Sequence, residues 1–411
     1  MKILLINHYT GTNKLGMEYR PYYLAKKWVE SGHNVTILAA SFSHLRINQP
    51  SVVKNLEIEF IDGIKYIWVK TPKYYNSNFL RIINILTFVG KLFTLSKRIL
   101  DKEDFPDFII ASSTYPFDIF PAYYYSKISN AKLVFELHDL WPLSPIEIGG
   151  YSKLHPFILS TRIAAKFAYS KCDICISILP HTKNYLIKEG LNSEKFYHIP
   201  NGFLFDEWKS NHNDLPVDIK NEMVKLTNNN KFIIGYIGGH NKSNNLDYII
   251  KAANLMKLKD IIFVFVGKGE NKKKLVAEAK KFQLNNVFFF ESIPKHTIPE
   301  LLKFFDVGII TGVDSGLHKF GTSSNKVIDY MLSSLPIIFA INENNSLVET
   351  LECGVQINAG DINKLVETIN YFYSLSYKDR VQIGDNGKNY ALNNLEYTTL
   401  AQKIIKIFNE N

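Results

Sequence analysis

The sequence predicts an α/β protein with two doubly wound domains, each built on a mainly parallel sheet. Three observations predict this fold class. The chain has 411 residues, more than one hydrophobic core usually takes. Short apolar segments alternate with helix-like segments, as parallel strands with crossover helices require, and the alternation restarts after a polar stretch near residue 210. Two such domains are expected to face each other across a cleft, with ligands at the carboxyl ends of the strands.

The first domain is expected over residues 1–205. It opens with a strand at 2–7 and a glycine-containing loop, and a helix follows from about 18 to 31, which Gly32 closes as a C-cap. The next strands are predicted at 35–40, 65–70, 107–111, 133–137 and 174–179.

The second domain is expected over residues 206–385. The polar segment 210–231 contains a proline and three successive asparagines, which is typical of a connection. Strands are then predicted at 232–237, 261–266, 287–290, 307–310 and 336–340. The last segment, 386–411, is helix-like and is expected to pack back on the first domain.

Charge and cysteine content restrict the functional class. The net charge is +9, and the part up to residue 205 carries 24 basic against 16 acidic residues. No nucleic-acid-binding signature is present, so this excess is assigned to phosphates or anionic lipid. Three cysteines make no disulfide framework, and the pair Cys172 and Cys175 opens an apolar run, which favours strand packing over a metal or redox site. No uncharged apolar run reaches the ~20 residues of a spanning helix, so a cytoplasmic or surface-bound protein is expected.

One segment of the second domain suits a phosphate. Ser323 and Ser324 are N-cap candidates for a helix whose first turn holds Lys326, where a cation is normally unfavourable. That position is explained if the lysine faces a diphosphate bound at the helix start, with Asp329 on a ribose diol. The alternative, an ordinary capped helix with a surface lysine, is equally compatible with the spacing.

Two glycine-containing loops support the same pocket. The sequence Gly238-Gly239-His240 follows the first strand of the domain, and Gly267-Lys268-Gly269 follows the second. Each loop is a weak signal alone, because strand-to-helix turns often contain structural glycines. Together with the helix start they describe a nucleotide-diphosphate pocket at one sheet edge.

In the first domain, His138 and Asp139 follow a predicted strand and are the candidate catalytic residues. A structural role for the histidine is about as well supported. The sequence contains no GxSxG nucleophile elbow, HExxH, Walker A motif or DxD pair, so neither a metal nor a cofactor is expected.

Several segments in order resemble the family-4 retaining glycosyltransferases of the GT-B fold, in which two Rossmann-like domains face each other across a cleft. The resemblance rests on the opening MKILLINHYTGTNKLGMEYRPYYLA, ELHDLWP at 136–142, IPNG at 199–202 and FGTSSNKVIDYM at 320–331. Within this family the sequence resembles bacterial O-antigen and capsule enzymes, including N-acetyl-fucosamine transferases.

The resemblance implies roles for matching positions. Gly16 would approach the donor diphosphate, and His138 would lie beside the transferred sugar and stabilise an oxocarbenium-like transition state. Asp329 would take the place of the second acid of the family's E-x7-E element, on the ribose. The remaining donor contacts would come from the N–H groups of Asn325 and Lys326 and from Gly267 with Ile293 beside the base.

Two departures from the family pattern concern the donor. The first acid of E-x7-E, which contacts the sugar in the family, falls on Gly321. The paired Arg and Lys after the first strand of the second domain are replaced by residues such as Gly239 and Asn245. Lys326 is the expected replacement for their charge.

The reaction implied is metal-independent, retaining transfer of an N-acetylated or deoxy hexose from a UDP-sugar to a lipid-linked saccharide on a polyprenyl diphosphate. Two alternatives remain: a nucleotide-sugar epimerase of the same fold, and a non-catalytic assembly subunit, which the missing acid at Gly321 would explain.

A basic, apolar segment indicates contact with a membrane. Residues 63–100 contain no acid, and 79–100 are rich in Leu, Ile and Phe. The segment is expected to lie on the anionic inner face of the plasma membrane, near the acceptor. The basic residues assigned to this contact are Arg81, Lys91, Lys97 and Arg98. The alternative is a long core helix with a few solvated charges.

Overall fold

A computed structural model describes residues 1–17, 19–75, 78–100, 102–209, 215–257 and 260–411. It divides the chain into two compact units, one of Met1–Asn201 with Tyr397–Asn411 and one of Gly202–Glu396. Each unit contains one sheet with helices on its faces, which confirms the predicted α/β class with two doubly wound sheets.

The first unit has an eight-stranded sheet in the order β3-β4-β2-β1-β5-β6-β7-β8. All its neighbouring strands are parallel except β3 and β4. The strands are β1 Lys2–Ile6, β2 Asn34–Ala40, β3 Glu57–Ile61, β4 Ile64–Val69, β5 Phe108–Ala111, β6 Lys132–Leu137, β7 Ile174–Ser177 and β8 Phe196–His198.

The helices of this unit begin where the sequence supplies a proline or a polar residue. In α1, Pro21 occupies the first turn, and Gly32 at φ 84° follows the helix end, as predicted; Glu18, the predicted start, lies outside the described residues. The helices are α1 Arg20–Glu30, α2 Asn78–Thr94, α3 Ser96–Ile99, α4 Ile119–Ser129, α5 Leu143–Glu147, α6 Pro156–Lys171 and α7 Lys183–Lys188. Cys172 and Cys175 are both fully buried around β7.

Strand β3 was not predicted. It forms a hairpin with β4 through Asp62 and Gly63, both at positive φ (50° and 78°). The strand lies at the sheet edge, and the side chains of Ile58 and Phe60 are exposed, so neither face gives the burial pattern of a core strand. The short edge strand β8 was missed as well.

The second unit has a six-stranded, wholly parallel sheet in the order β11-β10-β9-β12-β13-β14. The strands are β9 Phe232–Ile237, β10 Ile261–Val266, β11 Val287–Phe290, β12 Val307–Thr311, β13 Ile337–Ala340 and β14 Gly354–Ile357. The chain adds strands on one side of β9 and then returns to add β12 on the other side. The switch point of the sheet, where such folds bind ligands, therefore lies between β9 and β12.

The helices of the second unit correct one prediction. Segment 210–231 was expected to be a connection, but 217–228 form a helix, and 210–214 lie outside the described residues. Ile219, Met223 and Leu226, at i, i+4 and i+7, bury this helix in the core. The helices are α8 Phe205–Lys209, α9 Val217–Asn228, α10 Asp247–Leu255, α11 Lys272–Lys281, α12 Ile298–Leu302, α13 Asn325–Leu332, α14 Leu347–Thr350, α15 Ile362–Ser374 and α16 Tyr377–Asn394.

The helix predicted over 386–411 is two helices. The first part belongs to α16, which packs on α13 in the second unit. The second part is α17 (Tyr397–Glu410), which packs on α1 in the first unit. The indole N–H of Trp28 donates to the carbonyl of Ala401 over 3.2 Å, and the rings of Phe108 and Phe408 stack at 4.2 Å. Within the described part of the chain, no helix combines the length and the apolar character needed to cross a bilayer.

Candidate functional site

The loops after β9 and β10 form one edge of the second unit and contact each other closely. The N–H of Gly238 donates to the carbonyl of Val266, and the N–H of His240 donates to the carbonyl of Lys268 (2.9 and 2.8 Å). Gly267, at φ 150°, has no room for a side chain, because a Cβ atom would lie 1.9 Å from the oxygen of Gly238. The glycines therefore allow two backbone loops to pack directly at the carboxyl ends of their strands.

His240 does not point out of this edge. Its ring is buried beside Tyr236, Phe265 and Phe289. Burial, with a smaller effect of the nearby Lys272 and against that of Glu291, lowers the pKa of the ring to about 4, so the imidazole is neutral at pH 7. The ring of His240 is therefore packed on the buried side of the loop, while the side chain of Lys268 is exposed.

Helix α13 begins beside the same edge. Ser324 is the N-cap residue, as predicted, but its hydroxyl makes no capping hydrogen bond. The first-turn N–H groups of Asn325 and Lys326 have no acceptor within a helix, so they are available to an anion.

Lys326 extends from this first turn toward the end of β9. Its ammonium lies 5.3 Å from the ring centroid of Tyr236, and a Cβ atom on Gly238 would be 3.2 Å from Nζ. Among the described residues, the ammonium has no hydrogen bond or ion pair. Burial lowers its pKa, although Asp329 opposes the shift. An ammonium held this way, with no carboxylate in contact, favours an anionic ligand.

Asp329 lies one turn further along α13. Burial raises the pKa of its carboxyl group to about 6, against the opposing effects of Lys295 and Lys326. At pH 7 the group is mainly ionised and can accept hydrogen bonds from hydroxyl groups. Ile293, predicted to flank a base, is half-buried and packs on the hydrophobic core of the unit.

In the first unit, His138 belongs to a buried polar network at the end of β6. Its Nε2 lies 3.0 Å from Oε2 of Glu136 and 3.0 Å from the hydroxyl of Ser112. Burial alone would raise the pKa of Glu136, but Arg20 and His138 lower it well below the usual range. Glu136 is therefore ionised and accepts from Nε2, which fixes the orientation of the ring.

Arg20 anchors this network from α1. Its guanidinium donates to Oε1 of Glu136 at 3.0 Å and also to the carbonyls of Ile199 and Pro200. Neither Arg20 nor Glu136 was identified from the sequence. The available signal was the acid near the end of strand KLVFEL, after three successive apolar residues.

Asp139 has a local role in the structure. Its carboxylate accepts from the N–H of Leu140 at 2.8 Å, the indole of Trp141 at 3.2 Å and the hydroxyl of Ser144. These bonds hold the turn after β6. Gly16, also in the first unit, has a φ of 87° and packs against Ile47.

The segment predicted to lie on a membrane, 79–100, is not one helix. It comprises most of α2 and all of α3, and one face of α2 is buried through Asn84, Ile85, Phe88 and Leu92. That face of α2 therefore packs in the hydrophobic core, as the alternative of a core helix predicted. The opposite face is exposed, with Phe79 at 70% and Leu86 at 57% of full exposure.

Two family models match most of the chain. The model described as Glycosyltransferase Family 4 matches residues 16–204, and the model described as Glycosyl transferases group 1 matches residues 218–390. A curated protein, the putative colanic acid biosynthesis glycosyl transferase WcaI of Escherichia coli (strain K12), is 28% identical over 187 residues. That match spans 45% of this chain and about half (46%) of the length of WcaI.

Solved structures are similar over the full length. Anabaena Alr3699/HepE in complex with UDP and glucose has a TM-score of 0.69 at 18% identity, with 100% of both chains covered. WaaG, a glycosyltransferase involved in lipopolysaccharide biosynthesis, has a TM-score of 0.66 at 13% identity, with 99% of each chain covered. At these identities the similarity concerns the fold.

Proposed function

The chain consists of a Glycosyltransferase Family 4 domain followed by a Glycosyl transferases group 1 domain in the GT-B fold, and from this premise we propose that it is a retaining glycosyltransferase that takes its sugar from a UDP-sugar. The acceptor is a lipid-linked saccharide of surface-polysaccharide synthesis. The transferred sugar is an N-acetylated or deoxy hexose, and no metal takes part.

The donor site is proposed from the ammonium of Lys326, which has no hydrogen bond or ion pair among the described residues. It lies at the start of α13, where N–H groups and the helix dipole also favour a diphosphate. Gly238 ends β9 beside the switch point of the sheet and lies close to the ammonium of Lys326, and Gly267 lets the loop after β10 pack directly on Gly238. Asp329, one turn along the helix, suits the ribose diol of a nucleotide.

Catalysis in this proposal depends on charge at the leaving group and on His138. Lys326 and the helix start stabilise the UDP that leaves, and the acceptor oxygen attacks the face from which UDP departs, so the configuration is retained. Glu136 holds His138 in one orientation beside the sugar as positive charge develops in the transition state. The ionised Glu136 is buried with Arg20, so its charge is not lost at neutral pH.

The exposed face of α2 is proposed to bind the membrane that holds the acceptor lipid. The ring of Phe93 on this face lies 5.8 Å from that of Tyr124 on α4, which extends the apolar surface. Lys97 and Arg98 are exposed beside it on α3. An apolar face with flanking basic residues suits the headgroup region of an anionic bilayer. Lys91 instead donates to the carbonyl of Lys70 at 2.6 Å.

Incubation with a panel of UDP-sugars, with and without a polyprenyl-diphosphate saccharide, tests the function. The proposal expects UDP release that depends on the acceptor and a product with the anomeric configuration of the donor. Sugar conversion without acceptor would indicate an epimerase instead. UDP-sugar binding with neither reaction would indicate a non-catalytic subunit.

A further inference from the structure

Arg46, in the first unit, is a buried cation without a counter-ion. Only 5% of its surface is exposed, yet no carboxylate of the described residues pairs with it. Two arginines with largely buried head groups are paired in contrast: Arg20 with Glu136 and Arg380 with Asp306. Buried charges in proteins are normally paired, because a lone charge in the interior costs several kcal/mol.

The hydrogen bonds of Arg46 hold it at the carboxyl end of β1. Its guanidinium donates to the carbonyls of Thr10, Ala40 and His8, at 2.6, 2.8 and 3.2 Å, and lies 5.1 Å from the ring of Trp68. Neutral carbonyls satisfy the N–H groups but do not neutralise the charge. Burial accordingly lowers the pKa of Arg46 to about 9, and the group still carries its proton at pH 7.

A second arginine lies at the same strand end. Arg81, in the first turn of α2, has its guanidinium 5.9 Å from the ring centroid of Tyr9 and makes no ion pair with the described residues. Besides burial, both Arg46 and Arg81 lower the pKa of His8, so the two positive charges act on one place. The hydroxyl of Thr10 is also buried there with no hydrogen-bond partner among the described residues.

The surrounding side chains are mainly hydroxyl, imidazole and aromatic groups. Nδ1 of His8 lies 2.6 Å from the hydroxyl of Tyr115, and Nδ1 of His44 lies 2.6 Å from that of Tyr74. Asp118 is near Tyr115, but it is buried, accepts from the N–H of Ser113, and burial raises its pKa to about 7. This end of the sheet therefore combines two unneutralised cations with several hydroxyl and imidazole groups.

We propose that this strand end binds a phosphoryl group, with Arg81 in direct contact and Arg46 as a fixed charge behind it. Arginine suits this role because its planar N–H groups match phosphate oxygens. If the proposed function holds, the phosphoryl group is the diphosphate of the lipid-linked acceptor. The binding itself rests on the arginines and not on the donor site of the second unit.

Pyrophosphate is the probe, titrated calorimetrically into the full chain saturated with UDP, so that the donor site is occupied. We expect wild-type protein to bind pyrophosphate and Arg81→Gln to bind it at least tenfold more weakly. Lys132→Gln, which removes an exposed basic residue at the opposite end of β6, is the matched control and should bind as wild type does. UDP affinity should be unchanged in both variants.

Equal pyrophosphate affinity in wild type and Arg81→Gln, or no binding once UDP is saturating, overturns the proposal. Two further ligands separate the sources of the group: soluble farnesyl diphosphate and phosphatidylglycerol vesicles. Loss of farnesyl diphosphate binding in Arg81→Gln, with vesicle binding intact, supports an acceptor diphosphate. Loss of vesicle binding alone would show that a lipid headgroup occupies the site and would overturn the acceptor assignment.

Discussion

Replacing Lys326 with methionine separates binding of the diphosphate from stability of the fold. Methionine has a similar length and keeps the apolar contact with Tyr236 but removes the charge. The lysine has no partner among the described residues, and burial lowers its pKa. A lysine whose pKa is lower in the folded state disfavours folding at pH values where the unfolded chain is protonated. Lys326→Met should therefore unfold at a temperature no lower than wild type at pH 7.

The same substitution should weaken nucleotide binding strongly. A hydrogen bond to a charged group contributes about 1.5–3 kcal/mol. Since 1.4 kcal/mol corresponds to a factor of ten, the Kd of UDP should rise about 10- to 150-fold. Greater stability combined with weaker binding is expected of a residue whose charge serves a ligand.

Calorimetric titration with UDP and thermal unfolding measure the two quantities on the same preparation. Lys273→Ala is the control, because Lys273 is exposed on α11 in the same unit and should change neither. UDP affinity of Lys326→Met within twofold of wild type would refute the reasoning. A lowered unfolding temperature with unchanged affinity would assign the lysine to the fold.

Other predictions concern titration, catalysis, metal and membrane. UDP affinity should fall as the pH drops through about 6, where Asp329 becomes protonated, and Asp329→Asn should bind more weakly at pH 7.5 and lose this dependence. His138→Ala should lower kcat far more than UDP-sugar affinity, and Glu136→Gln should lower kcat in the same way; lost circular dichroism in either variant would point to a structural role. EDTA should leave activity intact, and activity that EDTA abolishes and Mn²⁺ restores would contradict this. Sedimentation with anionic liposomes at low salt should be weaker when Lys97 and Arg98 are both replaced by glutamate. If the wild-type protein does not sediment with the liposomes, α2 does not bind the membrane.

Five of the six strands of the second sheet were predicted, most readily those buried on both faces, and the partly buried β14 was missed. Segments such as FIIGYI at β9 and IIFVFV at β10 are apolar at nearly every position, and their predicted bounds match the structure. Edge strand β3 lacks this pattern because its side chains are largely exposed. Helix α9 was missed since the asparagines and the proline around it outweighed the spacing of its three buried apolar residues.

The candidate site was predictable where the signal was local. A lysine in the first turn of a helix is an anomaly that the sequence alone displays, and in the part of the chain that the structure describes the ammonium of Lys326 has no hydrogen bond or ion pair. Contacts between distant segments leave no such trace. Arg20 and Glu136 are 116 residues apart in sequence and meet only because β1, which precedes α1, lies two strands from β6 in the folded sheet. Likewise, nothing in the sequence around Arg46 indicates that folding buries it.

The position of α17 has a consequence for synthesis of the protein. The helix belongs to the first unit but is made after the about 200 residues of the second unit. At 5–20 residues per second, the ribosome needs roughly 10–40 s to reach it. During that interval the nascent first unit exposes the rings of Trp28 and Phe108, which Phe408 later covers. The nascent first unit therefore has a defined period in which this apolar surface is uncovered, and that period ends only after α17 has been made and has packed on α1.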